Sequence, residues 1–327
     1  MNETTDVAII GAGPAGLQAA LTIGRMHRTA IVLDSGSYRN DPADAMHNLI
    51  AHDGQSPADL RAAARADLDR YDTVRVVDAA VDRVDGELGR FRLTTDAGEF
   101  VAGRVILATG MRDTLPDIPE IGSVFGAAVA HCPFCHGHEY AGKPVALIGP
   151  APFLEHMSAL MSPIASSLTA FPNGTELDDG VAERLELLGV EIISDPVHGF
   201  HRRADGVDIV IDDGAAAHGR PGHGSLARFG GALVRLESAP AAPHADQLGL
   251  EVSEMGGVIV DPFGRTSAAG IYAAGDIAQQ PNMPGPMWAV WSAIATGAAA
   301  GTGAVQDLAG ELLGRVAACQ RPVGAPV

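Results

Sequence analysis

Cysteine is scarce in this sequence, with three residues in 327. That is too few for a disulfide scaffold of the kind that holds small secreted folds together. Basic residues are also few: 22 Lys and Arg face 40 Asp and Glu, for a formal net charge of −18. Such a chain repels DNA and anionic membrane surfaces on average, so no nucleic acid and no membrane is expected as a partner, and the charge is read as a solubility feature. No run of 18 uncharged apolar residues occurs, so no membrane span is expected. The opening MNETTDVAIIGAG has no basic region ahead of its apolar one, so no secretory signal is expected and a cytoplasmic location is. The 40 glycines and 21 prolines follow no period, which excludes collagen-like and low-complexity chains. What is there is a chain 46% hydrophobic, enough for a sizeable core. At roughly 100–200 residues per domain, its length suggests two domains.

The stretch DVAIIGAGPAGLQAALTIGR (6–25) reads as strand, tight turn and helix, with Gly11, Gly13 and Gly16 in G-x-G-x-x-G spacing around Pro14 and Ala15. Gly11 allows the turn, Gly13 lets a pyrophosphate approach the backbone, and Gly16 lets helix and strand pack closely. The helix N-terminus then favours the phosphate charge. A second strand, TAIVLDSG (29–36), ends in Asp34, an acid placed to bond a ribose hydroxyl. Strand, glycines, helix and downstream acid together predict a dinucleotide site.

Residues 74–107 are β-rich, and VILATG (105–110) reads as a buried strand ending in Thr109 and Gly110. KPVALIG (143–149) begins a second strand-turn-helix unit, but its turn is altered. Gly149 is kept, while Ala151 and Leu154 stand at the second and third glycine positions, and Pro150 and Pro152 each lack an N–H donor. No arginine follows the next strand, SSLTAFPNG (166–174), to hold a 2′-phosphate. NADPH binding at this half is therefore doubtful. Residues 214–244, rich in Gly, Ala, Pro and His, read as a loop insertion, and His218, His223 and His244 lack the regular companions a metal site needs. The stretch 256–278 reads as a hairpin and then the strand GIYAAGD, which places Gly275 and Asp276 at a strand's C-terminal end, where ligands bind in open α/β sheets. A helix rich in small residues follows. Met283, Met287, Trp288 and Trp291 read as an apolar cluster, with the two tryptophans on one helical face, suited to walling a small hydrophobic ligand.

HCPFCHGHEY (131–140) holds two cysteines in C-x-x-C spacing flanked by histidines. Taken alone, the stretch fits a metal site, a haem attachment or a dithiol–disulfide couple.

Taken together and in this order, GAGPAG, VILATG, C-x-x-C and GRTSAAGIYAAGD make the chain resemble the low-molecular-weight thioredoxin reductases and their relatives over nearly its whole length. The resemblance implies an α/β protein of two Rossmann-like, three-layer ββα nucleotide-binding domains, the second inserted in the first. Residues 1–114 and 240–327 would form the FAD domain and 115–239 the inserted NAD(P)-type domain carrying CPFC. It also implies FAD as cofactor, a homodimer, Asp276 against the ribityl chain, and Cys132 and Cys135 facing the isoalloxazine. His136 departs from the reductase pattern, which places an acid after the second cysteine. CPFCHG beside an altered nicotinamide turn is similar to the flavin-dependent dithiol oxidases that close gliotoxin- and holomycin-type disulfides with oxygen as acceptor.

Against that background the C-x-x-C reads as a redox pair. A structural zinc needs four ligands, no second C-x-x-C exists, and His136 and His138 stand too close to complete a tetrahedron easily. Covalent haem would require export, which no signal supports. The family pattern gives Cys135 the flavin side and Cys132 exchange with substrate. His136 is the expected base near the thiols, with His138 as alternate. Cys319 reads as a free thiol without a role. The expected function is dithiol oxidation in a small natural-product dithiol. An NADPH-dependent thioredoxin reductase, with thioredoxin as partner, is the alternative, with a ferredoxin- or flavin-reduced relative as its variant. A non-enzymatic redox sensor or sequestering protein is a third possibility.

Overall fold

Four apolar segments, each ending in a turn at the same edge, build the frame of the first half of the molecule. In the computed structural model, which describes residues 4–211, 225–283 and 285–319, these become strands β1 (Thr5–Ile10) and β2 (Ala30–Asp34), the second half of β6 (Gly98–Leu107), and the strand Ile271–Ala273. Val7, Ala8, Ile9, Val32, Val105, Ile106 and Ala273 are fully buried, as expected of parallel strands covered on both faces. β3 (Val74–Asp78) extends the parallel set beyond β2. β4 (Val81–Glu87) and β5 (Arg90–Thr95) run antiparallel and join the first half of β6. The order is β3-β2-β1-β6-β5-β4, with Ile271–Ala273 alongside the end of β6.

One face of this sheet is covered by helix α1 (Pro14–Arg25) and the long C-terminal helix Val290–Cys319. The two helices approach closely because the contact carries small residues: a Cβ on Gly297 would overlap the Ala15 carbonyl. These parts form one compact unit made of Met1–Arg39, Ala58–Arg112 and Ala239–Val327.

The second unit comprises Asn40–Pro57 and Asp113–Ser238. Its five-stranded parallel sheet runs Val190–Ile192, Ser167–Phe171, Pro144–Ile148, Gly231–Val234 and Val129–Ala130. A three-stranded antiparallel sheet of Val197–Arg203, Gly206–Ile211 and Ser225–Phe229 packs with it around Phe171, Phe200 and Phe229. Each unit therefore combines parallel and antiparallel strands, in one mixed sheet in the first and in two sheets in the second, and the chain is α/β as expected.

Three local expectations need correction. The part of 214–244 within the described residues is not a loop: Ser225–Phe229, Gly231–Val234 and Glu237–Pro240 are strands, and His244 begins a short helix and is buried. Small residues there suit a tightly enclosed central strand, since all of Gly231–Val234 is buried. His218 and His223 lie outside the described residues. Of the hairpin expected ahead of GIYAAGD, only isolated antiparallel bridges form among the described residues, Val252 with Val258 and Arg265 with Tyr272, while Val258–Ile259 pairs in parallel with Ala278–Gln279. Trp288 and Trp291 do not share a helical face, because the helix starts only at Val290, after Pro286. Among the described residues no helix is long and apolar enough to cross a membrane.

Candidate active site

Because β1, β2, β6 and Ile271–Ala273 are parallel, their C-terminal ends meet at one sheet edge. The sequence-predicted dinucleotide residues gather there. Gly11 leaves β1 with φ +105°, and its N–H donates to the Leu33 carbonyl at 2.8 Å. A Cβ on Gly16 would overlap the Gly11 carbonyl oxygen, so turn and helix close only around glycine. Gly13 differs. It caps α1 in extended backbone, ahead of Pro14, and a Cβ there would meet nothing within 4 Å. This open space at a 12-residue helix's N-terminus is the room a pyrophosphate requires, so the residues present fit FAD.

Asp34 ends β2, 4% exposed. It accepts the Gly36 N–H at 3.0 Å, the Tyr38 hydroxyl and the Arg65 guanidinium. A carboxylate has about four lone-pair sites, so capacity for a ribose hydroxyl remains. Burial pushes the Tyr38 phenol above its ordinary value, with Asp34 acting in the same direction, so it stays protonated and donates. Thr109 and Gly110 follow β6, and the Gly110 carbonyl accepts the Ala241 N–H at 3.1 Å. Gly275 adopts φ +75°, and its N–H donates to Thr296 Oγ1 at 2.9 Å. Asp276 pairs with Arg39 at 2.9 Å, and its carbonyl accepts Trp288 Nε1–H at 3.0 Å. The Arg39 guanidinium lies 4.4 Å from the centre of the Trp288 ring system. Trp288 thus serves as a hydrogen-bonded platform, while Met283, Met287 and Trp291 are exposed. Arg39, Tyr38 and Arg65 gave no sequence signal, because their importance depends on which carboxylate they meet.

The second turn, in the other unit, is built differently. Gly149 leaves the strand Pro144–Ile148, but the helix Ala151–Met161 is capped by Pro150 and has Pro152 in its first turn. The N–H groups of Phe153 and Leu154 both donate to the Pro150 carbonyl. The Phe153 ring lies against the turn, 2.9 Å from where a Cβ on Gly149 would be.

The CPFC turn follows the strand Val129–Ala130 in that same unit. Cys132 caps the four-residue helix Pro133–His136, and the N–H groups of Cys135 and His136 both donate to its carbonyl at 3.2 Å. This brings the cysteines to a Cα separation of 5.3 Å, joined as a disulfide. Both are half-buried, and Phe134 between them is 68% exposed. Tyr140 anchors the far end: it is buried, its hydroxyl donates to the Ala127 carbonyl at 3.0 Å, and burial holds its pKa well above the ordinary value.

His136 and His138 are separated by environment. His138 is exposed in the single turn His138–Tyr140. His136 is half-buried, and its Nε2 lies 3.2 Å from the Gly126 carbonyl. A carbonyl only accepts, so Nε2 carries the hydrogen and Nδ1 of the neutral ring carries the lone pair. Nδ1 is buried with no protein partner. Burial lowers the His136 pKa from its ordinary 6.5, the Gly126 bond and the Glu139 charge oppose that shift, and His47 reinforces it. His47 and Glu139 complete the surroundings. The His47 ring stands edge-on to His136 with centroids 6.5 Å apart, and its Nε2 is 3.5 Å from Glu139 Oε1. Sequence reasoning missed both residues. His47 comes from the Asn40–Pro57 segment, whose Pro42 carbonyl lies so close to Gly126 (φ +87°) that a Cβ there would overlap it.

Comparison with known proteins fits this geometry. The family described as pyridine nucleotide-disulphide oxidoreductase matches residues 5–297. Thioredoxin reductase tcpT of Claviceps purpurea is 34% identical over 331 residues, covering 95% of this chain and 97% of that one. Thioredoxin reductase sirT of Leptosphaeria maculans is 35% identical over 315 residues, covering 91% and 92%. The crystal structure of HlmI superposes with a TM-score of 0.83 at 28% identity, covering 97% of this chain and 96% of that one.

Proposed function

The chain belongs to the pyridine nucleotide-disulphide oxidoreductase family, and we propose that it is an FAD-dependent dithiol oxidase, closing a disulfide in a small hydrophobic dithiol with oxygen as electron acceptor. Its membership makes it a flavin-dependent thiol–disulfide oxidoreductase; the direction, substrate and acceptor are our reading. The contrast between the two nucleotide turns carries it. The first leaves open space at Gly13, whereas the second has lost two donors to Pro150 and Pro152 and holds the Phe153 ring against its glycine. A cofactor-binding turn works by backbone donors and close approach, and the second turn offers little of either. The exposed Phe134, between the two cysteines, favours an apolar substrate.

The chemistry assigned to the chain's own residues runs in two exchanges. His136 Nδ1 takes the proton of one substrate thiol. The thiolate attacks Cys132 Sγ, forming a substrate–Cys132 bond and breaking Cys132–Cys135, with the electron pair left on the Cys135 thiolate. Once His136 has given up that proton, its Nδ1 takes the proton of the second substrate thiol, and the resulting thiolate attacks the first substrate sulfur, closes the product disulfide and releases Cys132 as thiolate. Two electrons now rest on the cysteine pair, and two protons have been lost by the substrate. Gly11–Gly16, Asp34 and Asp276 would hold FAD, whose chemistry when bound would be two-electron acceptance from thiols and reoxidation by oxygen.

In air, this predicts one oxygen consumed and one peroxide formed per dithiol closed, measured with an oxygen electrode and a peroxide assay. Oxidation without peroxide would point to another acceptor. The relatives named thioredoxin reductase favour the second reading, reduction of a protein disulfide by NADPH.

The pH dependence follows from His136. It works as a base only when neutral, and its folded pKa lies below the ordinary 6.5. The rate is therefore present above that depressed value and lost as pH falls through it, so the acid limb of dithiol oxidation is expected below pH 6.5. His136→Ala is expected to slow the reaction about 10²-fold near pH 7 and to remove the limb. Rapid-mixing rates from about pH 5 to about pH 8 check this; an unchanged limb in the variant would assign the base elsewhere.

A further inference from the structure

The base proposed above has no evident exit for its proton. His136 Nε2–H is committed to the Gly126 carbonyl, and Nδ1 is buried without a protein partner. Each substrate oxidation loads protons onto this nitrogen, and a buried imidazolium blocks the next turnover until it discharges. The surroundings hold a candidate route. Glu139 Oε2 is likewise buried without a partner, while Oε1 lies 3.5 Å from His47 Nε2. His47 stands edge-on to His136, its side chain is 22% exposed, and its Nδ1 is 3.7 Å from Oδ1 of Asp53, itself 68% exposed. His136, Glu139, His47 and Asp53 thus form a run of acid–base groups that ends in solvent, all within one compact unit; the side chains of Glu139, His47 and Asp53 are 35%, 22% and 68% exposed, while Glu139 Oε2 itself is buried.

We propose that Glu139 and His47 are positioning residues that form the proton exit of His136, receiving the proton removed from a substrate thiol and releasing it to solvent on the Asp53 side. The proton leaves the substrate S–H for His136 Nδ1, moves to the Glu139–His47 pair, and departs from His47. No electrons move in these steps, and His136 returns to its neutral Nε2–H form. Among the described residues, the charged and titratable groups at the cluster are Glu139, Asp53, the two rings themselves and Lys143, whose Nζ donates to the Glu139 carbonyl at 3.0 Å. An imidazole at position 47 offers one ring nitrogen to accept a proton and another to release one, which an amide of similar shape cannot. This inference rests on the proposed dithiol chemistry at Cys132–Cys135.

The test uses FAD-loaded, full-length enzyme without oxygen, with dithiothreitol as the probe. Opening of Cys132–Cys135 is followed by quenching with an alkylating agent and reading the intact mass, a measure independent of oxygen and of any nicotinamide. H47Q and E139Q are each expected to open about tenfold more slowly than wild type near neutral pH, a proton-transfer defect. Added imidazole, as a diffusible proton carrier, is expected to restore both variants in a concentration-dependent way while leaving wild type unchanged. Wild-type rates in both variants, or a slowing that imidazole does not relieve, would overturn the proposal, because a merely structural contribution has no buffer dependence. If dithiothreitol fails to open the disulfide in wild type, the dithiol reading itself falls and this inference with it. If wild type opens and only the rescue fails, the dithiol reading stands alone.

Discussion

Replacing Cys135 with serine is expected to lower dithiol oxidation by on the order of 10³-fold or more, and Cys132→Ser by a similar factor. The reason is stoichiometric. Closing a substrate disulfide requires a two-electron acceptor that thiolates can attack, and the Cys132–Cys135 bond is the disulfide among the described residues. Serine keeps the size of the side chain but cannot form that bond. The half-buried setting and the cap at Cys132 mean little else changes, so the variants should fold and keep their flavin. Cys319, exposed near the end of the C-terminal helix, cannot substitute, and Cys319→Ser should leave the rate within about twofold of wild type. Oxygen uptake with a generic dithiol measures all three variants. Activity surviving in Cys135→Ser would show that electrons bypass the pair.

The second large effect separates two glycines three residues apart. Gly13→Val is expected to give a folded protein with little or no flavin. Gly16→Ala is expected to give an unstable one. At Gly13 a side chain enters open space, so the fold has nothing to resist, but the space a pyrophosphate requires is filled. A loss of about 10²-fold in FAD affinity corresponds to about 2.7 kcal/mol. At Gly16 the added carbon overlaps the Gly11 carbonyl, so strand and helix must separate at the core of the first unit. Overpacking of this kind costs typically about 1–3 kcal/mol. Flavin absorbance per chain and thermal unfolding of both variants distinguish the two effects. Equal flavin loss with equal destabilisation would mean that Gly13 also packs, against the open space found there.

These contrasts bear on what the sequence made legible. The glycine spacing of the first turn was readable because it reports local steric needs, and so was the alteration of the second, since proline removes donors wherever it stands. The C-x-x-C turn was readable for the same reason: its four residues are one local element. Long-range partners were not. His47 reaches His136 only because the chain at Pro42 crosses Gly126, and Arg39 matters only because it meets Asp276. Neither relation leaves a periodic trace. Composition misled within 214–244: small residues read as a loop include the strand Gly231–Val234, which lies inside its sheet and is packed too tightly for larger side chains. It also misled at the tryptophans: Trp288 and Trp291 have helical spacing, but the helix begins at Val290, and Trp288 uses its N–H on the Asp276 carbonyl. In each miss, a local pattern was outweighed by a tertiary contact.

The central claim is that electrons enter from a dithiol and not from a nicotinamide. An anaerobic flavin spectrum of the purified protein, titrated separately with NADPH, NADH and a dithiol, tests it most directly. Only the dithiol is expected to bleach the flavin, and admitting air is expected to restore the oxidised spectrum with peroxide. Bleaching by NADPH within a turnover time would contradict it, because the second turn would then bind nicotinamide despite Pro150, Pro152 and Phe153, and the enzyme would run as a reductase.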